Sequence, residues 1–438
     1  MATIRPFPGV RYNSARIPDL SQVVTQPYDR IGSELRARYL RQSPYSFVQL
    51  ILSDVDPHRP QTGNPYAAVR ELYDQWLRTG ILVRSAGPAV YVYHQTFRTP
   101  DGTSVTRRAF IAALQLTPFE EGTILPHERT LSAPKADRLN LFRATQVSFE
   151  PIFVLYPDEG NQINAVLDAA IEGQPPTADV HEAFEQDVRQ QVWEITDPAV
   201  IAAVQVAMAP KRRLIIADGH HRYETALAYR DEMRQAHPDA PGDAWFNFAL
   251  VAFVSMDDPG LTILPTHRLV HSFDRMSVAA IEAAAADYFT IQPLPAAELP
   301  SALRAAGQEG TAFGFVTRDH HSLWRLRDRQ IMSRLAPERA PAWRELDVAV
   351  LHHLVLEQIM GLTPESIARQ ENLIYLRDAD AGYRALQRGE ANLLFQLNPT
   401  RIGQVRACAE AGEKMPQKST DFYPKMISGL VVMELMGL

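Results

Sequence analysis

Five consecutive residues, Asp218-Gly219-His220-His221-Arg222, combine a carboxylate, a backbone free of side chain, two imidazoles and a guanidinium. The apolar run Leu214 to Ala217 precedes them and a helix is expected from about Arg222, so the group falls at a strand-to-helix turn. Glycine lets the main chain approach a ligand there, and the first amides of the helix point outward with the positive end of its dipole. Phosphate suits that geometry. Gly219, His221 and Arg222 are the candidate phosphate donors, His220 a proton carrier, and Asp218 a catalytic carboxylate and the expected ligand of Mg2+. Zinc is not expected, because adjacent histidines rarely both reach one ion and no Cys/His pair has finger-like spacing. The plainer alternative is a capping aspartate beside two solvated histidines.

A second constellation, LPHERTLSAPKADRLNLFRAT, gathers His127, Glu128, Arg129, Thr130, Lys135, Asp137, Arg138 and Arg143. With Pro126 and Pro134 expected to break any continuous helix, it reads as a charged loop facing a ligand. Glu128 beside several cations could act as a base near a phosphate, and Lys135 and Arg138 as anion contacts. Solvated ion pairs on a surface loop are the alternative. A third segment, KMPQKSTDFYPKM, carries Lys414, Lys418, Ser419, Thr420 and Lys425. Lys418 and Lys425 could close over an anion, or the segment could cover a sheet edge. Tyr28 and Asp29 in VVTQPYDRI, His127, and Arg268 in TILPTHRLV, which also holds His267, complete the set as candidate substrate contacts.

Elements able to position these groups are visible along the chain. PYAAVRELYDQWLRTGIL reads as an amphipathic helix closed by Gly80, and AVYVYHQTFRTPDGTSVTRRAFIAALQL as two strands around a Pro100-Asp101-Gly102 turn. Asp197-Pro198 opens a helix to about Ala209, where Pro210 stops it. After ALVAFVSMDDPG, helices and strands alternate through VAAIEAAAADYF, TAFGFVT, SLWRLRD, LDVAVLHHLVLEQIMG and NLLFQL. The expectation is a mixed α/β (α+β) protein of two units, 1–270 and 271–438. The formal charge of −7 gives no bulk attraction for a nucleic acid, so any phosphate site must be local. No long uncharged apolar run suggests a membrane span, and the first residues lack a secretory pattern, so a cytoplasmic location is expected. One cysteine, Cys408, cannot form an intramolecular disulfide and reads as a small helix filler.

Taken in order, QPYDRI, LPHERT with PKADRLNLFRAT, IADGHHRYETAL, LPTHRLV and MPQKSTDFYPKMISGLV resemble the signature stretches of the prokaryotic DUF1015 family, across essentially the whole chain. The resemblance implies a ParB/sulfiredoxin-like nucleotide-binding core fused to a second α/β unit that closes over the site. In such cores a Gly-x-x-Arg turn binds nucleotide phosphates, and Gly219 to Arg222 fits it. His220 stands where sulfiredoxins carry their reactive cysteine, which removes sulfinic acid repair. No basic recognition helix accompanies the turn, which removes the chromosome-partition role of ParB proteins. Free-serine kinases of the superfamily look closest, through an Asp-Gly-His-type turn and an upstream glutamate for which Glu128 is the counterpart. The implied activity is transfer of a phosphate from ATP or ADP to a small hydroxyl compound such as free L-serine. A slowly hydrolysing nucleotide-binding regulator and a phosphatase or phosphodiesterase remain open.

Overall fold

A computed structural model describes residues 1–52, 65–128, 133–181 and 187–435. It is a mixed α/β protein that divides into two compact units. The first comprises Met1–Leu125, Thr130–Thr262 and Pro424–Leu438; the second comprises Pro126–Arg129 and Ile263–Tyr423. The expectation of one cut near residue 270 does not anticipate this interleaving, in which a short piece before α-helical residue 133 joins the second unit and the C-terminus returns to the first.

The first unit is built on strands β1 (Ile4–Arg5), β2 (Val90–Arg98), β3 (Ser104–Gln115), β4 (Ile152–Tyr156), β5 (Ala178–His181), β6 (Arg189–Ile195), β7 (Leu214–Asp218) and β8 (Phe248–Ser255). They run in the order β7-β4-β8-β3-β2-β6-β5, with β1 antiparallel to β3. Only β4 and β8 pair in parallel among these. FALVAFVS in β8 is buried at every position, as a strand covered on both faces must be. The β2–β3 hairpin turns at Gly102, whose φ of 86° explains the glycine, and Asp101 accepts from the Thr103 amide at 3.1 Å. The amphipathic helix α1 (Pro65–Arg78) buries Val69, Tyr73 and Trp76.

Residues 133–145, read as part of a loop, form helix α2 (Ala133–Thr145). Pro134 falls in its first turn, where the missing amide hydrogen costs nothing, so the proline starts the helix instead of breaking it. Helix α3 (Pro198–Met208) begins as its sequence requires, with Asp197 accepting from the Ala199 amide at 2.8 Å. Helix α4 (His220–Ala236) follows β7 directly and packs on α2, where the Phe142 and Tyr229 rings lie 5.6 Å apart.

In the second unit, β9 (His267–Val270), β10 (Phe289–Pro293), β11 (Ala312–Val316), β12 (His321–Leu326), β13 (Leu373–Leu376) and β14 (Leu393–Leu397) form an antiparallel sheet ordered β10-β12-β11-β14-β9-β13. Its core joins Leu269, Leu323 and Leu394 to Leu299 and Leu303 of helix α5 (Leu299–Glu309). Helix α6 (Pro364–Arg369) is capped by Thr363, and the amphipathic helix α7 (Ala379–Gln387) by Asp378. Asp347–Val350 runs into a π-helix over Leu351–Ile359. Cys408 is buried in a helix, as a filler would be. Among the described residues no helix is long and apolar enough to cross a membrane.

Candidate functional site

Strand β7 delivers Asp218 to its place through an irregularity. Its register against β4 shifts between Ile216 and Asp218, a bulge that re-aims the last residue of the strand. Gly219 then turns with φ 88°, and a Cβ there would lie 2.8 Å from the Arg222 Nε, so glycine is needed for both conformation and space. Helix α4 begins at His220 with no side chain capping it, which leaves its first amides to other partners. His220 and His221 are half-buried.

Charges converge on Asp218 from this same unit. Arg222 donates from Nη2 to Oδ2 at 2.9 Å, and the Lys425 Nζ lies 3.8 Å from Oδ1. Arg222 is 6% exposed and also donates to the Pro151 carbonyl. Burial opposes its charge, but Asp218, Glu150, Asp29 and Tyr28 together hold its pKa above the ordinary arginine value. Arg107 is fully buried on β3, donating to Gln95 and to the Pro424 carbonyl, with its guanidinium 4.8 Å from the Phe153 ring centre. Burial pushes its pKa down to about 10, against the pull of Tyr93, Asp258 and Asp218.

The Tyr28 segment borders this cluster. The Tyr28 amide donates to Glu150 at 3.0 Å, which also accepts from the Ser428 hydroxyl at 2.8 Å. Burial raises the phenol to about 12 although Arg222 pulls the other way. Asp29 is exposed. Arg138, expected to meet an anion, is instead buried at 4% exposure, held by Asp137 and the Ile51 carbonyl and stacked 4.3 Å over the Tyr28 ring. Helical periodicity turns this residue inward, an outcome that a loop would not impose. The Lys135 side chain lies outside the described residues.

The other predicted residues belong to the second unit. His127 is fully buried, and its Nε2 lies 2.8 Å from the Thr420 hydroxyl, which donates to Glu128 Oε1 at 3.0 Å. The same carboxylate oxygen accepts from the amides of Ser419 and Thr420, each at 3.2 Å. Glu128 therefore grips the backbone of residues 419–420. Arg268 is buried on β9 and donates to the carbonyls of Thr266, Gln417 and Lys418 and to His352 Nε2 at 3.2 Å. Burial pushes its pKa down to about 10, with Tyr375 and Glu128 opposing. Burial, reinforced by Arg268, likewise lowers His267 to about 4, and its Nδ1 accepts from the Leu397 amide. Lys418 is exposed with φ 55°. Of the two C-terminal lysines expected at one site, Lys425 is in the unit that holds Asp218 and Lys418 is not.

Sequence reading missed Arg107 and Glu150. The signal for Arg107 is a pair, Arg107-Arg108, directly before the apolar run Ala109 to Leu114 of its strand: alternation sends Arg108 out toward Asp168 at 3.1 Å and its neighbour inward.

The family described as "Protein of unknown function (DUF1015)" matches residues 4–349. The chain belongs to the DUF1015 family. No curated protein matches it. Among solved structures, a conserved hypothetical protein from Pyrococcus furiosus is similar over 70% of this chain and 92% of its own, at 12% identity and a TM-score of 0.33. A free serine kinase variant in complex with ADP is similar over 70% of this chain and 89% of its own, at 12% identity and a TM-score of 0.34. A C-terminally truncated SbnI from Staphylococcus aureus is similar over 72% and 86%, at 12% identity and a TM-score of 0.33.

Proposed function

We propose that this DUF1015 protein is a nucleotide-dependent phosphotransferase that binds the phosphates of ATP or ADP at the Asp218–Arg222 turn and transfers one to a small hydroxyl compound, free L-serine being the first acceptor to try. The observation that carries the reading is the convergence of Arg222 and Lys425 on one carboxylate at the end of β7, directly before the N-terminus of α4. Phosphoryl transfer asks a protein mainly for positioning and charge neutralisation, and this turn is equipped for both.

The roles follow from how firmly each group is held. Arg222, locked by Pro151 and Asp218, positions the carboxylate and biases the site toward anions from behind. Lys425, at 3.8 Å, is close enough to Asp218 to be held ready and far enough to turn to a phosphate oxygen. The amides of His220 and His221 take the phosphate at the helix start. His220 accepts the proton of the acceptor hydroxyl as its oxygen bonds to phosphorus and the nucleotide leaves with the old bond's electrons. Glu128 is assigned to holding residues 419–420 and takes no part in these steps. Magnesium fits poorly as a protein-held ion, since both Asp218 oxygens face cations and no group of three or more metal-ligating side chains gathers among the described residues. No step is drawn through it.

Phosphorus NMR of the protein with ATP or ADP and L-serine provides the test, with calorimetry for the nucleotide. A new phosphomonoester that disappears in Asp218→Asn is expected. Nucleotide turnover without acceptor phosphorylation would make the protein a hydrolysing regulator. Phosphate release from phosphoserine without nucleotide would make it a phosphatase. No nucleotide binding would overturn the site itself.

A further inference from the structure

The second unit contains a cleft that the phosphotransfer reading does not use. We propose that this cleft, lined by Arg339, Trp343, His352, His353, Glu357 and Lys414, is a binding site for a small free amino acid. Its volume is about 300 Å³, at the small end of the range for ligand sites.

The π-helix puts the key residues there. One wall presents His353, whose Nδ1 lies 3.0 Å from Glu357 Oε2. Such widened turns recur at binding sites because the extra residue re-aims side chains and loosens the helical ladder. Beside it the Arg339 guanidinium stacks 4.8 Å over Trp343 and donates to Glu413 at 3.0 Å, while Glu413 also accepts from the Ala340 amide at 2.7 Å. These groups are fixed before any ligand arrives.

His352 supplies the strongest pointer. It is 5% exposed, lines the cleft, and accepts at Nε2 from buried Arg268. Burial, with Arg268 beside it, keeps the ring neutral, so the proton sits on Nδ1. That N–H has no partner among the described residues. Since His352 lines the cleft, a ligand or water there can answer it.

Charge selects the class. Arg339 and Lys414 are cations on the lining; Glu338 and Glu357 are anions. Glu357 and Arg339 already have partners in His353 and Glu413, so the choice rests on exposed Lys414 and the His352 N–H, which call for a carboxylate, and on Glu338, 3.8 Å from Arg339, which calls for an ammonium. A zwitterion meets both. Ile367, Pro364 and Ala368 offer an apolar side for its side chain.

The inference stands independently of the phosphate site. The test titrates the full chain with each of the twenty free L-amino acids by calorimetry, then repeats the best binder as its decarboxylated and deaminated analogues. Binding that requires both groups is expected, weakened about tenfold or more by Lys414→Glu and by Ile367→Trp, which fills the cleft. Lys414 is exposed, so its variant tests the site even if Ile367→Trp does not fold. Lys418→Ala, an exposed position outside the cleft lining, should leave amino-acid affinity unchanged. Absence of binding, binding indifferent to both cleft variants, or binding lost only in Asp218→Asn would overturn the proposal, the last by assigning the amino acid to the first unit.

Discussion

Asp218 and Glu128 are both carboxylates in charge-dense stretches of sequence, yet the structure holds them by different means. Asp218 meets side-chain cations: Arg222 at 2.9 Å and Lys425 at 3.8 Å. Glu128 meets main-chain amides and a hydroxyl, all on one oxygen. A cation on a flexible stem, as Lys425 is, can exchange a carboxylate for a phosphate, whereas amides of a turn cannot leave without unmaking the turn. The first arrangement is suited to ligand exchange and the second to fixing a chain segment.

The largest effect should come from Arg222→Ala. The guanidinium is 6% exposed and serves Asp218 and the Pro151 carbonyl while facing Glu150. Removing one partner of a buried ionic cluster typically costs about 3–5 kcal/mol, because the remaining charge stays desolvated. Denaturant unfolding should show a loss of that order, with nucleotide affinity falling as well. A variant of unchanged stability would mean that Arg222 is freer than its contacts indicate and is a direct phosphate ligand.

Glu128→Ala should have a smaller effect, about 1–3 kcal/mol, since it strands the amides of Ser419 and Thr420. Hydrogen exchange at those two amides should accelerate, and Glu128→Gln, which keeps an acceptor, should restore most of the protection. If Glu128→Gln were fully stable yet abolished phosphotransfer, the contrast between the two carboxylates would fail and Glu128 would be the base.

Much of the frame behind this contrast was legible in the sequence. The apolar run before Asp218, the Asp197-Pro198 helix start and the Asp101-Gly102 turn are local signals, and each forms where local chemistry puts it. What was illegible depends on contacts between distant residues. Nothing local says that Arg138 would stack on Tyr28, that Arg107 would lie buried beside Pro424, or that Glu128 would find amides some 290 positions away. The helix at 133–145 is hidden for a different reason: Pro134 looks like a breaker in sequence, but in a first helical turn it is a helix starter.

The smallest and most discriminating comparison sets Lys425 against Lys418, seven positions apart in one basic segment that sequence alone treats as a single feature. The Lys425 side chain is 12% exposed and its Nζ lies near Asp218, while Lys418 is exposed and its carbonyl, not its ammonium, is engaged by Arg268. A partly exposed pair at 3.8 Å contributes within about 1 kcal/mol to stability, so Lys425→Ala should leave unfolding nearly unchanged. A desolvated contact to a phosphate oxygen is stronger, and the same substitution should weaken nucleotide binding about tenfold. Lys418→Ala should alter stability by less than about 0.5 kcal/mol and leave nucleotide affinity where it was. Calorimetry of both variants at one fixed salt concentration decides between position and bulk charge. If the two lysines lose affinity equally, the attraction is a diffuse field and the Asp218 turn is no special cradle; if only Lys425→Ala does, the anion is held by local geometry at the end of β7.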